Sequence, residues 1–125
     1  MAPRASWWRR WFGTRAERAA ARFLKGQGYR ILARKFRIRG GEIDIIAVRD
    51  DAIAFVEVKA RRSVEAALAS ITEGQRRRLA RAAAAWVTQN PFAADGYALR
   101  GDAVVLDARR SPLHIENAFA LEVED

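Results

Sequence analysis

Residues 40–62 read GGEIDIIAVRDDAIAFVEVKARR, and this stretch decides the fold. It is two apolar strands around a tight turn. Ile43, Ile45, Ile46 and Val48 supply the first strand, Ile53, Phe55, Val56 and Val58 the second, and Asp50-Asp51 the turn. A two-residue hairpin loop there pairs Arg49 with Ala52. The same register sets Asp44 opposite Glu57 and Glu42 opposite Lys59. Side chains alternate along a strand, so these four charges are expected on one face, beside Ile46, Val48, Ile53 and Phe55. Ile43, Ile45, Ala47, Ala54, Val56 and Val58 would take the other face. A slip of one residue would disperse the group. Both faces are apolar away from the charges, which predicts a strand pair covered on both sides.

Three carboxylates and one ammonium then sit at one end of a buried sheet. Two like charges about 4 Å apart repel by roughly 4 kcal/mol at an effective dielectric near 20. One lysine cannot neutralise three acids, so the surplus calls for a cation, and oxygen donors suit Mg²⁺, Mn²⁺ or Ca²⁺. A structural ion-pair network is the competing reading. The acid excess favours a site.

Asp44, a gap of twelve residues, and then Glu57-Val58-Lys59 resembles the D…ExK core of the PD-(D/E)XK nucleases. The wider text GGEIDIIA…FVEVKARR is similar to the YraN-like family of small bacterial proteins, which are regarded as predicted endonucleases similar to archaeal Holliday junction resolvases. A bare D…ExK is a common pattern; GEIDIIA followed by FVEVK at this spacing is far more specific. The resemblance implies a restriction-endonuclease-like fold in which the strands bearing Asp44 and Glu57 are neighbours. It also implies that Glu17, in a GxxxE context from Gly13, reaches the metal site. Pairing of Glu17 with a nearby arginine is the alternative. Gln75 stands in the slot where related nucleases carry a glutamine or lysine after the ExK strand. HIENAF, from His114, looks like the family's closing motif. Departures are Gly101 in place of an aromatic, Gln75 in place of a frequent lysine, no glycine after Arg62, and a tryptophan-rich start.

Composition bounds the rest. At 125 residues the chain is expected to be one domain, and with half its residues hydrophobic it can bury a modest core. The absence of cysteine excludes disulfides, zinc–thiolate sites and thiol catalysis, and a single histidine excludes multi-histidine metal sites. His114 reads as a strand-edge or surface residue rather than a catalytic base. No apolar run reaches the length of a membrane span, and no signal-peptide core stands at the start, so the cytoplasm is the expected compartment. The net charge of +8 is uneven: residues 1–39 hold twelve Lys and Arg against Glu17 alone. That basic third predicts a polyanionic partner, nucleic acid ahead of an anionic membrane.

Residues 1–12, MAPRASWWRRWF, read as a basic, tryptophan-rich flexible extension, and 13–121 as the domain. Thr14 to Gln27 has helical spacing, with Ala16, Ala19, Ala20, Phe23, Leu24 and Gln27 expected on the core face and Arg15, Arg18, Arg22 and Lys25 on a second stripe. Glu17 lies on the border of that face, and Gly26 and Gly28 supply the stop. Tyr29 to Arg39 reads as a first strand whose Arg30, Arg34, Lys35, Arg37 and Arg39 suit a solvated edge or a DNA-backbone track. Arg61 and Arg62 follow Lys59 directly. Val64 to Ile71 reads as helix or loop. Thr72 to Gln89 is a clearer helix, capped by Thr72, with Leu79, Ala82, Ala83, Trp86 and Val87 inward. Arg76, Arg77, Arg78 and Arg81 crowd its start, where each opposes the helix dipole by roughly 0.3–1 kcal/mol; that placement suggests an anionic ligand. Asn90-Pro91 ends the helix. Ala98 to Asp107 is a strand, Ser111-Pro112 a turn, and Leu113, Ile115, Asn117, Phe119 and Leu121 alternate as a last strand. Asp102 reads as structural, and residues 122–125 as a frayed acidic tail.

The expected architecture is an α/β sandwich, a central mixed sheet flanked by helices in the order αβββαββ. The expected function is metal-dependent hydrolysis of DNA phosphodiester bonds; the resemblance to junction resolvases implies branched DNA as one substrate class, which the residues themselves do not specify. Asp44, Glu57 and the Val58 carbonyl would hold Mg²⁺ or Mn²⁺, and Lys59 would orient water or neutralise the transition state. Glu42 would pair with Lys59 or shape the hairpin entrance. Arg15, Arg18, Arg22, Arg61, Arg62, Arg76, Arg77 and Arg78 would bind phosphates without reading sequence. No small-molecule cofactor is implied. A junction substrate would favour a homodimer, though no dimer surface is legible. The alternatives are a nucleic-acid-binding module that keeps the fold without cleaving and, last, a membrane adaptor using the tryptophans.

Overall fold

The computed structural model describes residues 15–107 and 112–121. The expected N-terminal extension and acidic tail lie outside these. The chain is helical over residues 15–26 (α1), then forms β1 (Arg30–Ile38), β2 (Gly41–Arg49), β3 (Ala52–Arg61), α2 (Val64–Ala69), α3 (Glu73–Gln89), α4 (Pro91–Ala94), β4 (Ala98–Asp107) and β5 (Leu113–Phe119). The five strands make one sheet in the order β1-β2-β3-β4-β5. β3 and β4 are parallel, joined over the sheet by the three helices between them, and the other neighbours are antiparallel. This is a mixed α/β sheet flanked by helices, the restriction-endonuclease-like sandwich.

Local chemistry sets the joints. α1 stops in a Schellman arrangement: Tyr29 N–H donates to Leu24 O, Gly28 N–H donates to Lys25 O, and Gly28 takes the left-handed φ of 92° that glycine tolerates. The second hairpin turns at Asp50-Asp51 with Arg49 opposite Ala52, as its sequence predicts. The Val64–Ile71 segment, open between helix and loop, resolves into α2, capped by the Ser63 hydroxyl accepting from Ala66 N–H. Thr72 caps α3, and Pro91 opens the short α4 at a position where its missing N–H costs nothing.

Two apolar layers hold the sheet. On one face Leu79, Ala82, Ala83 and Trp86 of α3 pack against Ile43, Ile46, Val48, Ile53 and Phe55, with Trp86 and Phe55 edge to face. On the other, Ala20, Ala21 and Leu24 of α1 pack against Ile45, Ala47, Ala54, Val56 and Val104. Two expectations are corrected here. The inward face of α1 is Glu17, Ala20, Ala21 and Leu24, whereas Ala19 and Gln27 are exposed; the helix is rotated toward its glutamate. Ile43 joins the α3 layer rather than that of Ile45, so strand alternation breaks at Asp44. A matching irregularity lies across the sheet: Lys35, between the pairs Arg34–Ile45 and Phe36–Ile43, has a left-handed φ of 53°.

At β4 and β5 a buried polar cluster replaces apolar packing. Asp102 is fully buried and accepts from Arg100 Nε and Nη2, from Asn117 N–H at 2.9 Å and from the His114 ring at 2.7 Å. Burial alone would raise its pKa, but those partners outweigh it and hold the carboxyl below the usual range. Arg100 also donates to the Tyr29 hydroxyl at 2.6 Å, tying the end of α1 to β4. His114 is therefore on the edge strand but turned inward, not a surface residue. Gly101 has no room for a side chain: a Cβ would lie 2.6 Å from Phe119 O and 2.9 Å from its ring.

Gly41 brings the start of β2 against α3. A Cβ there would lie 2.5 Å from Arg78 O and 3.1 Å from Ala82 N. Gly41→Ala is expected to destabilise the fold by about 1–3 kcal/mol, as overpacking against backbone does. Urea unfolding measures this, and an unchanged midpoint would contradict the close approach.

Candidate active site

The β2–β3 ladder runs from Arg49–Ala52 to Ile45–Val56 and then opens. In place of the next rung, Val58 N–H donates to Asp44 Oδ2 at 2.8 Å. A side chain thus substitutes for the partner strand, and the two strands part around it. On β3, Glu57 and Lys59 lie two residues apart and so project together; Lys59 Nζ is 3.2 Å from Glu57 Oε2, with both side chains largely buried. From the α1 side comes Glu17, buried, with Oε1 lacking any hydrogen-bond partner.

Charge crowding governs this region. Burial is the largest influence on Glu57, followed by repulsion from Asp44; Lys59 offsets only part, and the carboxyl is pushed up to about 7. Burial likewise raises Asp44, with Glu42 adding to it, against the Val58 N–H, Lys59 and Arg37. Burial and then Asp44 push Glu17 up to about 7, despite Lys35, Arg34 and Arg37 nearby. Asp44 is the shared neighbour: it repels Glu57 on one side and Glu17 on the other. For all three acids the crowding makes ionisation more costly, a cost that a further positive charge would relieve.

The structure therefore brings Asp44, Glu57, Lys59 and the Val58 backbone together and turns Glu17 toward Asp44. The other expectations fare differently. Glu42 does not pair with Lys59, which is taken by Glu57; it pairs with Arg37 at 3.3 Å, its partner across the β1–β2 ladder. The Gln75 side chain accepts from Thr72 N–H at 3.3 Å, completing a capping box, so its visible task is to start α3. Arg15, Arg18, Arg22, Arg61, Arg62, Arg76, Arg77 and Arg78 are all exposed. Arg77 bridges Glu73 at 3.0 Å, and Arg61 donates to Ala60 O, so those two are engaged locally. Arg37 and Lys35 belong to the strand read as a solvated edge or DNA-backbone track; the pairing of Arg37 with Glu42 and the left-handed backbone at Lys35 are what that reading does not contain. Arg39-Gly40, read as a two-residue turn like Asp50-Asp51, places Arg37 against Glu42 and was the available signal.

The donor set suits a hard divalent cation. Among the described residues no three Asp, Glu, His or Cys side chains converge as a ready-made cage. Mg²⁺ rarely uses one: it is typically held by one or two carboxylates, with waters and substrate phosphates completing the shell. Asp44 and Glu57 with the Val58 carbonyl are such a partial set, and the unpartnered Glu17 oxygen is a further buried acceptor in need of positive charge.

Fold and site together define an α/β protein of restriction-endonuclease-like architecture with an Asp…Glu-x-Lys constellation where two central strands part. The chain belongs to the uncharacterised protein family UPF0102, the YraN family, whose model matches residues 16–106. It is 53% identical over 112 residues to a UPF0102 protein of Methylocella silvestris, covering 90% of each chain. It is 50% identical over 110 residues to one from Methylobacterium nodulans, covering 88% of this chain and 84% of that one. Among the described residues no helix is long and apolar enough to cross a membrane.

The raised carboxyls have a consequence for stability. Glu17 titrates near 7 in the folded chain against 4.5 in the reference state, so between these values the folded state holds a proton that the unfolded state has released. The contribution is full below about pH 4.5 and is lost as pH rises through about 7. Without divalent cations, Glu17→Gln is therefore expected to be more stable than the natural chain at pH 8, with the gap closing toward pH 5. Urea titrations at both values measure it; a variant less stable at pH 8 would mean the anion is paired.

Proposed function

We propose that this chain is a metal-dependent endonuclease that hydrolyses phosphodiester bonds in DNA. The observation that carries the reading is the pair of buried, mutually repelling carboxyls, Asp44 and Glu57, beside a single buried lysine. An ion pair kept only for stability would balance its charges, because an uncompensated buried acid is costly. Here the surplus stands where the β2–β3 ladder is interrupted, although β3 stays paired with β4 on its other side.

Asp44 and Glu57 would hold Mg²⁺ or Mn²⁺ with the Val58 carbonyl. When bound, such an ion lowers the pKa of water and stabilises charge developing on a phosphoryl oxygen. The Val58 N–H fixes Asp44 in one orientation, which spares reorganisation when substrate arrives. Lys59 is anchored by Glu57 and aims a fixed positive charge where the attacking water or the phosphate's growing negative charge would sit. The exposed arginines of α1 and of the α3 N-terminus, with Arg62, give a sequence-independent hold on the nucleic-acid backbone. Branched DNA is the substrate class that the similarity to junction resolvases favours.

The test is cutting of branched, flapped and single-stranded DNA with Mg²⁺ or Mn²⁺ by the natural chain, Lys59→Gln and Glu57→Gln. Loss of one preorganised charge is expected to lower kcat by about 10²-fold or more. Mg²⁺ is expected to raise the melting temperature of the natural chain and of Lys59→Gln but not of Glu57→Gln. Equal cutting by all three would overturn the assignment, and metal-independent DNA binding without cutting would make the protein a binding module.

A further inference from the structure

We infer that Arg37, held in place by Glu42, grips a backbone phosphate of the substrate at the mouth of the acidic cluster. The inference takes the identity of the anion from the nuclease reading, but its geometry is independent of whether the chain cleaves. Arg37 and Glu42 are direct partners across the first hairpin, with the guanidinium Nε 3.3 Å from the carboxylate. Their side chains are 67% and 56% exposed. An ion pair this open to water contributes little to folding, so the pair is not explained by stability.

Its position points to the alternative. Asp44 has Glu17 and Glu57 as neighbours, with Glu42 two residues along β2, so an incoming phosphodiester meets an excess of negative charge. Lys59 is buried against Glu57 and cannot reach out to capture it. Arg37 stands opposite Glu42, two residues along β2 from Asp44, and so lies beside the acids while remaining at the surface. The strand there is shaped for this. Lys35 carries a left-handed φ of 53°, an uncommon and costly state for lysine, at the level of Asp44, and such strain gathers at functional sites. The kink breaks β1 alternation just before Arg37. A guanidinium fork matches two phosphate oxygens as well as it matches a carboxylate, so Glu42 preorients Arg37 and is exchanged for the phosphate on binding. Glu42 is then a positioning residue.

The measurement is affinity for a labelled DNA duplex and a four-way junction over a salt series with metal chelated, followed by steady-state cutting in Mg²⁺. Arg37→Gln is expected to weaken binding about tenfold and to reduce the salt slope by about one, with the unfolding midpoint unchanged. Lys25→Gln, an equal loss of charge at an exposed position near the end of α1, is the control and is expected to change both little. Glu42→Gln is expected to keep the salt slope and raise KM more than it changes kcat. Equal losses in Arg37→Gln and Lys25→Gln would overturn the inference, as would no DNA binding by the natural chain. Arg37-dependent binding in a chain that never cuts would uphold it and overturn the nuclease reading.

Discussion

Where β2 and β3 separate, the carboxylate of Asp44 accepts the Val58 N–H that the partner strand would otherwise satisfy. Everything at the candidate site depends on that substitution. A buried N–H must find an acceptor, and a continuous ladder would use a backbone carbonyl and keep the two strands a fixed distance apart. With a side chain in that role the β2–β3 ladder ends at Ile45–Val56, so Glu57 and Lys59 keep their β4 partners Ala103 and Val105 but have none on β2, and polar groups collect in an otherwise apolar sheet. The same bond orients Asp44 and opposes the upward push of burial on its pKa.

The divergence is tolerated because the sheet is clamped from both sides. α3 covers one face from Ile43 to Phe55, and α1 covers the other from Ile45 to Val104. The reversal of layers between Ile43 and Ile45 twists β2 at Asp44, and the left-handed Lys35 lets β1 follow. A second anchor lies at β4–β5. Asp102, ionised and fully hydrogen-bonded, gathers Arg100, His114 and the Asn117 N–H, and Arg100 reaches the Tyr29 hydroxyl at the end of α1. Since α1 also carries Glu17, this network helps fix the depth at which that glutamate enters the interior. Two buried acids are thus pushed in opposite directions: the partners of Asp102 hold it below the usual range, while burial and Asp44 push Glu17 up to about 7.

That contrast is the physical distinction between a structural carboxylate and one awaiting a ligand. Both are buried, so burial alone does not separate them. The number of donors does. Asp102 receives hydrogen bonds at both oxygens, whereas Glu17 Oε1 receives none. The same comparison places Lys59–Glu57 between the extremes, paired but short of positive charge once Asp44 is added.

The sequence by itself determined the five strands, the α3 helix and the hairpin at Asp50-Asp51, because these follow from local periodicity and turn chemistry. The two-residue turn also determined the register as far as Ile45–Val56, which carries Asp44 into the neighbourhood of Glu57 and Lys59, but the expected pairs Asp44–Glu57 and Glu42–Lys59 do not form because the ladder ends there. What only tertiary structure decided lies where local rules are overridden. Alternation assigned Ile43 to the layer of Ile45, but the divergence at Asp44 reverses it. Helical spacing put Glu17 on the border of α1, yet the helix turned it inward, because Ala20, Ala21 and Leu24 fill the α1 layer better than Ala19 and Gln27. His114 and Asp102, twelve residues apart on two strands, meet through a shift in strand pairing at Gly101–Ala103 that composition does not announce. Glu42 chose Arg37 over Lys59 because pairing with β1 and the prior claim of Glu57 on the lysine are facts of the assembled sheet. Charge number is written in the chain; which charge finds which partner is settled only when distant strands are packed side by side.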